Sequence, residues 1–323
     1  MSATPRLVLV TGPTGAGKSE LALGLAEQLG GEIVGADSIQ LYRRLDIGSA
    51  KPTAAERARV PHHLVDRVDP RSEYTAADFA EDAAQAVDEI AGRGAVPIVV
   101  GGSALYQRAL LRGICEAPGS DPAIREDLAT RAEVDGWPAL HAELSRLDPD
   151  TAARIHPNDR IRIERALEVV LASGQSLSAH QRGHGELPER YPSLKLGVNI
   201  PREALYERID RRVLAMVDAG WFAEVEALLS DGYDPGLKPL QAIGYRDVVA
   251  HLRGEREFEE AIRRIQRDTR RFAKRQLTWF RKDRDVNWYR PRVGLAGELA
   301  DAVGRFHRGE DPDLPAGDES AKP

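Results

Sequence analysis

Apolar residues along the chain follow two rhythms. Short runs bounded by turn formers alternate with longer stretches in which apolar positions recur every three or four residues. The short runs predict core strands over Leu7–Val10, Glu32–Ala36, Val96–Val100 and Leu194–Ile200, and the longer stretches predict helices between them. One helix is expected over Glu20–Leu29. Another is expected over Thr75–Ile90, with Thr75 as its N-cap and Asp78 as the third helical residue. Gly101-Gly102 ends the third strand, and a helix begins near Ser103.

Beyond Cys115 the strand rhythm stops. Ala117-Pro118-Gly119-Ser120-Asp121-Pro122 reads as a linker, followed by helices over Ala123–Val134, Trp137–Leu147, Pro149–Ile155 and Asp159–Ser173. Gly183-His184-Gly185-Glu186-Leu187-Pro188 closes this stretch. The expectation is a core built from 1–117 and 191–308, with an all-helical insertion over 118–190. A second helical block covers Arg202–Leu229, the longest helix runs from Phe258 to Phe280, and 309–323 is expected to be a disordered tail.

Composition narrows the class. The 323 residues are 42% hydrophobic, and no apolar run approaches the ~20 residues of a membrane span. The start leads straight into a strand, leaving no room for a signal peptide. Cys115 is the single cysteine, which excludes internal disulfides and disfavours a cysteine-based zinc site, so a reducing cytoplasm is expected. His62-His63 has no companion ligands at metal spacing. Monomer is the default, as no dimerisation stripe is visible. The net charge of -6 argues against nucleic acid until its distribution is considered. Arg263 to Arg290 is strongly basic, which fits either local phosphate binding or a solvated surface helix.

The chemistry starts at Gly12-Pro13-Thr14-Gly15-Ala16-Gly17-Lys18-Ser19, which fits G-x-x-x-x-G-K-[ST] between a strand and a helix. Its glycines let backbone N–H groups converge on phosphate oxygens, and the helix N-terminus adds its positive dipole end. Lys18 supplies a point charge, and the Ser19 hydroxyl is placed to hold a magnesium ion. A phosphate-loop α/β fold follows, a parallel sheet flanked by helices. Nucleotide hydrolases with this loop usually carry a strand ending in Asp. Here Val96–Val100 ends in Gly101-Gly102-Ser103, and the acid is Asp37, after a strand expected to lie beside the loop strand. There it would project into the ligand crevice and accept a proton from a nucleophile; the alternative is a turn cap.

Taken in order, the loop, Asp37-Ser38-Ile39-Gln40-Leu41-Tyr42, Asp46-Ile47-Gly48-Ser49-Ala50-Lys51-Pro52, Gly101-Gly102-Ser103-Ala104-Leu105-Tyr106, Ile163 to Val169, Ala242-Ile243-Gly244-Tyr245 and Arg271 to Arg281 resemble the signature segments of bacterial tRNA dimethylallyltransferases. Ser49 and Ser103 stand where that family commonly has Thr. The resemblance implies transfer of a dimethylallyl group from dimethylallyl diphosphate to the exocyclic amino group of the adenosine 3′ of the anticodon, releasing diphosphate. It further implies Asp37 as base, with Lys18 and a magnesium ion on Ser19 meeting charge on the diphosphate. Ser103 would hydrogen-bond the bridging oxygen or orient the adenine. Arg208 and Arg212 look like the diphosphate-side arginines, with an ion-pair ladder to Glu207 and Asp210 as the alternative. Ser38 and Gln40, with Ile39 between them, resemble contacts to a flipped adenosine. Arg125, Arg162 and Arg165 resemble contacts to the tRNA anticodon stem-loop; for Arg162 and Arg165, which share a helix face, the alternative is pairing with Glu164 or Glu168. Lys274, Arg275 and Arg281 would attract phosphates, while Trp279 and Phe280 are expected in the core. A small-molecule kinase is the competing function, with Asp37 poised on a substrate hydroxyl.

Overall fold

The computed structural model describes residues 4–185 and 187–323; the leading residues Met1–Ala3 and Glu186 of the closing turn lie outside them. Six strands form one sheet: β1 (Leu7–Thr11), β2 (Gly31–Gly35), β3 (His62–His63), β4 (Val96–Val100), β5 (Ser193–Val198) and β6 (Asn287–Tyr289). Their order is β3-β2-β4-β1-β5-β6, and every pairing is parallel. All five residues of β1 are buried, the mark of a parallel sheet covered on both faces. Alternation then sorts side chains between two cores. Leu7, Leu9, Val34 and Val99 pack on one face, and Val8, Val10, Ile33 and Ile98 on the other.

The chain divides into two compact units, Met1–Leu111 with Arg190–Pro323, and Arg112–Glu189. The second contains the helices Pro122–Asp135, Trp137–Leu147, Pro149–Ala152, Arg160–Ser173 and Leu177–Gly185. Leu128, Leu140, Leu144, Ile163 and Leu167 fill its own core. Buried Asp148 joins two of its helices, accepting the N–H groups of Thr151 at 3.1 Å and Ser178 at 2.9 Å.

Local signals set most boundaries. Thr75 and Asp78 make a reciprocal capping box at the helix Ala76–Gly92. Gly220, at φ 99°, splits the expected block into helices Arg202–Asp218 and Trp221–Ser230. The longest helix runs Phe258–Phe280.

Four expectations change. β3 and β6, with two and three residues, are too short to show a period. β2 does not lie beside β1; β4 stands between them. The disordered tail expected over 309–323 is instead laid against edge strand β6. There Asp318 N–H donates to Trp288 O at 2.7 Å, Tyr289 O–H to Pro315 O at 3.1 Å, and Asn199 Nδ2 to Ala321 O at 3.0 Å. Free backbone groups of an edge strand and the apolar Trp288 surface, where Ala321 is fully buried, hold it. Trp279, finally, is 42% exposed, whereas its neighbour Phe280 is buried as expected, because the amphipathic helix turns them to different sides.

Candidate active site

The loop after β1 turns directly into the helix Lys18–Leu29, with Gly17 at φ 105° as its N-cap. Among the described residues, the backbone N–H groups of Gly15, Gly17, Lys18 and Ser19 have no protein acceptor, so the loop presents a nest of free donors. Lys18 Nζ donates to Pro13 O at 2.8 Å across this nest. Burial and the nearby Arg212 charge push its ammonium down to about 7, with Asp37 pulling the other way. The exposed Ser19 hydroxyl makes no hydrogen bond among the described residues.

Asp37 reaches the crevice although its strand is one removed from β1. Gly101 makes this possible: a Cβ there would stand 2.0 Å from Ala36 O, so only glycine lets the ends of β2 and β4 close up. Ala36 N–H donates to Val100 O at 2.7 Å and Ser103 N–H to Ala36 O at 3.4 Å, which puts Asp37 and Ser103 on the wall of one cavity. The two oxygens of Asp37 differ in their surroundings. Oδ1 accepts from Ile39 N–H at 2.9 Å and Gln40 N–H at 3.4 Å, capping the turn; Oδ2 has no hydrogen-bond partner among the described residues. Ser103 Oγ accepts weakly, at 3.4 Å, from Tyr106 N–H. The strand tips flanking β1 carry Gly101-Gly102 and Asn199, so neither supplies the carboxylate of a nucleotide hydrolase.

Arg208 and Arg212 project from the helix Arg202–Asp218 onto the loop. Arg208 lies over Gly17, and Arg212 is 3.5 Å from Thr14 Oγ1. The ion-pair ladder does not form: Asp210 pairs with Arg270 at 2.5 Å instead, and neither Arg208 nor Arg212 has an acidic partner among the described residues. Burial, with Arg208 beside it, holds the Arg212 guanidinium below its ordinary range, against the pull of Asp37. Three cations thus converge on one nest with Asp37 as their nearest counter-charge.

Two cavities meet at Thr14, Asp37, Arg212 and Gln276. One, of about 1000 Å³, is polar and spreads over the phosphate loop, Lys18 and Arg208. The other, of about 260 Å³, is lined largely by apolar groups including Ile209, Val213, Met216 and Trp221, with Ser38, Ile39 and Ser103 at its polar rim. Gln40 lies on the polar side, its amide N–H₂ donating to Ser49 O and Ala50 O, both at 3.1 Å, with its oxygen left free.

Three shaping residues escape sequence reasoning. Gln276 accepts from Thr14 N–H at 2.8 Å and donates to Gly102 O at 2.9 Å, stapling the phosphate loop to the end of β4. Glu224 accepts the N–H groups of Asp46 at 2.8 Å and Ile47 at 2.6 Å, and the Tyr245 hydroxyl at 2.9 Å. Trp221, one turn earlier, is wedged against Gly48 and Gly244, where a Cβ would stand 2.0 and 2.2 Å from the indole. Gln276 lies within the segment Arg271 to Arg281 but its contacts are long-range; Trp221 and Glu224 lie outside every signature segment. The pairing of glycine with bulky Trp was the only signal.

The helical unit carries the other three predicted residues. Arg125 Nε donates to Glu168 at 2.8 Å and Arg165 Nη1 to the same carboxylate at 2.8 Å; Arg165 also donates to Pro118 O at 2.7 Å. Glu168 is fully buried. Burial alone would raise its carboxyl, but the hydrogen bonds from Arg125 and Arg165 hold it below the usual range. Arg162 is two-thirds exposed and pairs with its own N-cap Asp159 at 3.0 Å. In the basic stretch, Arg264, Arg267 and Arg271 pair with Asp247 or Asp268, while Lys274 and Arg275 have no acidic partner among the described residues. His63 bonds Glu32 at 2.6 Å, and no cluster of metal-ligating side chains occurs among the described residues.

A parallel sheet with a phosphate loop, flanked by strand tips that lack a hydrolase acid and opening onto an apolar cavity, defines a transferase that grips a diphosphate rather than a nucleotide hydrolase. The chain belongs to the IPP transferase family, whose description matches residues 40–283. It is 50% identical over 302 residues to the tRNA dimethylallyltransferase of Geobacter metallireducens, covering 94% of this chain and 98% of that protein. It is 52% identical over 286 residues to the tRNA dimethylallyltransferase of Anaeromyxobacter dehalogenans, covering 88% and 95%. Among solved structures it resembles the tRNA isopentenylpyrophosphate transferase of Bacillus halodurans (TM-score 0.66, 38% identity, 94% and 95% covered). A eukaryotic dimethylallyltransferase acting on tRNA superposes with TM-score 0.79 at 26% identity, over 98% of this chain and 82% of that one.

Proposed function

We propose that the two meeting cavities hold the two halves of an allylic diphosphate, and that Asp37, at their junction, takes the proton of the acceptor. The reaction is transfer of a dimethylallyl group from dimethylallyl diphosphate to the exocyclic amino group of the adenosine 3′-adjacent to the anticodon of tRNA. The observation that carries the residue assignment is the position of Asp37 between three cations lacking acidic partners and an apolar chamber. A hydrolase acting on water needs no apolar chamber there; a hydrocarbon donor does.

The adenine amino group is a weak nucleophile because its lone pair is delocalised into the ring. As its nitrogen bonds to the first carbon of the donor, the carbon–oxygen bond breaks with its electron pair leaving on the diphosphate. Asp37 Oδ2 accepts the proton released from nitrogen. Negative charge builds on the diphosphate where Lys18, Arg208, Arg212 and the free N–H groups of Gly15, Gly17 and Ser19 converge. Ser103 orients the adenine or the bridging oxygen. Magnesium, held through Ser19 and the diphosphate, would neutralise charge when bound; one free hydroxyl at a helix start, with no carboxylate cage, fits an ion that keeps several waters.

Ser38, Ile39 and Gln40 border the entrance for a flipped base, and the free Gln40 oxygen is the acceptor available to its edge. Arg125, Arg162 and Arg165 are the contacts to the anticodon stem-loop in this reading, Arg162 being the most exposed of the three. No helix among the described residues is long and apolar enough to cross a membrane; a cytoplasmic monomer is part of this reading and rests on the single cysteine and the lack of a dimerisation stripe in the sequence.

The test incubates protein, magnesium and labelled dimethylallyl diphosphate with a tRNA carrying the target adenosine and with the same RNA lacking it. Label confined to the first supports the reading. Turnover of ATP with no labelled RNA would replace it with a kinase.

A further inference from the structure

The helix Arg202–Asp218 passes from the phosphate loop into the apolar cavity, and its inward side chains change character on the way. Arg208 lies over Gly17, Ile209 packs on Gly15, and Arg212 reaches Thr14. Val213 and Met216 then face the apolar cavity alone, and neither borders the polar one. Positions 209, 212, 213 and 216 recur every three to four residues and share one helix face. Four residues, about 6 Å of helix, separate Arg212 from Met216. That distance matches a single prenyl unit extended from an oxygen held at Arg212.

We propose that Met216 sets the upper length of the allylic donor, its thioether side chain closing the chamber after one prenyl unit. This rests on the function proposed above and adds the residue that selects the donor. Two of the neighbouring walls, Val213 and Trp221, cannot be recut without loss of structure. Val213 is buried in the core, and Trp221 is fixed by Gly48, Gly244 and an edge contact with Tyr245 at 5.5 Å between ring centroids. Met216 is half-buried, between the chamber and solvent. Met216 packs at the margin of the core, so shortening it opens a way out for a longer tail at less cost to packing than a change at Val213 or Trp221. Methionine is unbranched and deformable, so it closes around a short branched chain without demanding one shape. A longer allylic diphosphate undergoes the same bond changes at its first carbon, so only the fit of its tail separates the two donors.

The test measures transfer to tRNA from dimethylallyl and from geranyl diphosphate by the wild type and by Met216→Ala, Met216→Val and Met216→Phe. For Met216→Ala the ratio of geranyl to dimethylallyl kcat/KM is expected to rise at least about tenfold, the scale on which an apolar pocket discriminates chain length. Met216→Val should give a smaller rise. Met216→Phe should raise KM for dimethylallyl diphosphate and leave KM for tRNA unchanged. An unchanged ratio in variants that still transfer dimethylallyl overturns the proposal, as does an effect confined to the tRNA KM, which would put Met216 against the adenine. Failure of the wild type to transfer dimethylallyl at all would instead reject the function on which the proposal rests.

Discussion

Arginines serve opposite ends in the two units of this chain. In the helical unit, Arg125 and Arg165 close on a buried acid, Glu168, and on carbonyls of the chain entering the unit. In the sheet unit, Lys18, Arg208 and Arg212 crowd one another with no acidic partner in hydrogen-bond reach among the described residues. The first arrangement lowers its own electrostatic energy and needs nothing further. The second holds unfavourable charge until an anion arrives. A pair with a buried acid fixes where an arginine stands, whatever its exposed edge later meets; cations pressed together around free backbone donors hold a site open for an anion.

The contrast is broken most severely at Asp37. Asp37→Ala is expected to lower kcat by about 10³-fold, the scale of losing a positioned base, with tRNA affinity within a few-fold. Loss of affinity with kcat retained would make Asp37 a turn cap only.

Glu168→Ala tests the other side. It should destabilise the helical unit by about 2 kcal/mol, at the low end for a buried pair because both arginines can turn to water. Hydrogen exchange across residues 122–173 checks this. The Glu168 carboxyl is held low in the folded unit, so its contribution is present above the unfolded carboxyl's range, ~4.3, and is lost as pH falls below it. A helical unit equally stable at pH 3 and pH 7 would show that the pair contributes nothing.

Lys18 gives a subtler signature. Its ammonium is held at about 7 in the empty loop, and a bound diphosphate should raise it. Binding at pH 8 is then expected to take up about one proton, read by calorimetry in two buffers of different ionisation heat. Lys18→Met should abolish that uptake. Equal heats in both buffers for the wild type would mean the lysine is charged before the ligand arrives.

The smallest effect belongs to Arg162, exposed and paired only with its own cap. Arg162→Ala should reduce the salt dependence of tRNA binding by about one phosphate contact. An unchanged slope would leave it a surface residue.

The phosphate loop, the capping box at Thr75 and the longest helix were legible because each depends on residues within a few positions of one another. Asp37 was legible as a strand-tip acid, but its neighbourhood was misjudged. Strand order is a property of crossovers, and nothing near residue 37 records that β4 intervenes. Gln276 acts on Thr14, Trp221 on Gly48 and Glu224 on Ile47, between 173 and 262 positions away, so no local pattern points to these contacts. The tail was misjudged for a related reason: its polar composition is that of a solvated segment, yet its role depends on the exposed edge of a strand more than twenty residues earlier.

The Gln276 staple has a consequence for how activity is acquired during synthesis. The phosphate loop is made long before the amide oxygen that fixes Thr14, which belongs to Gln276. A nascent or prematurely terminated chain ending before that point would carry the whole nucleotide-type signature and still lack the brace that sets it. Order in the loop is therefore set by a residue made 262 positions after the one it fixes.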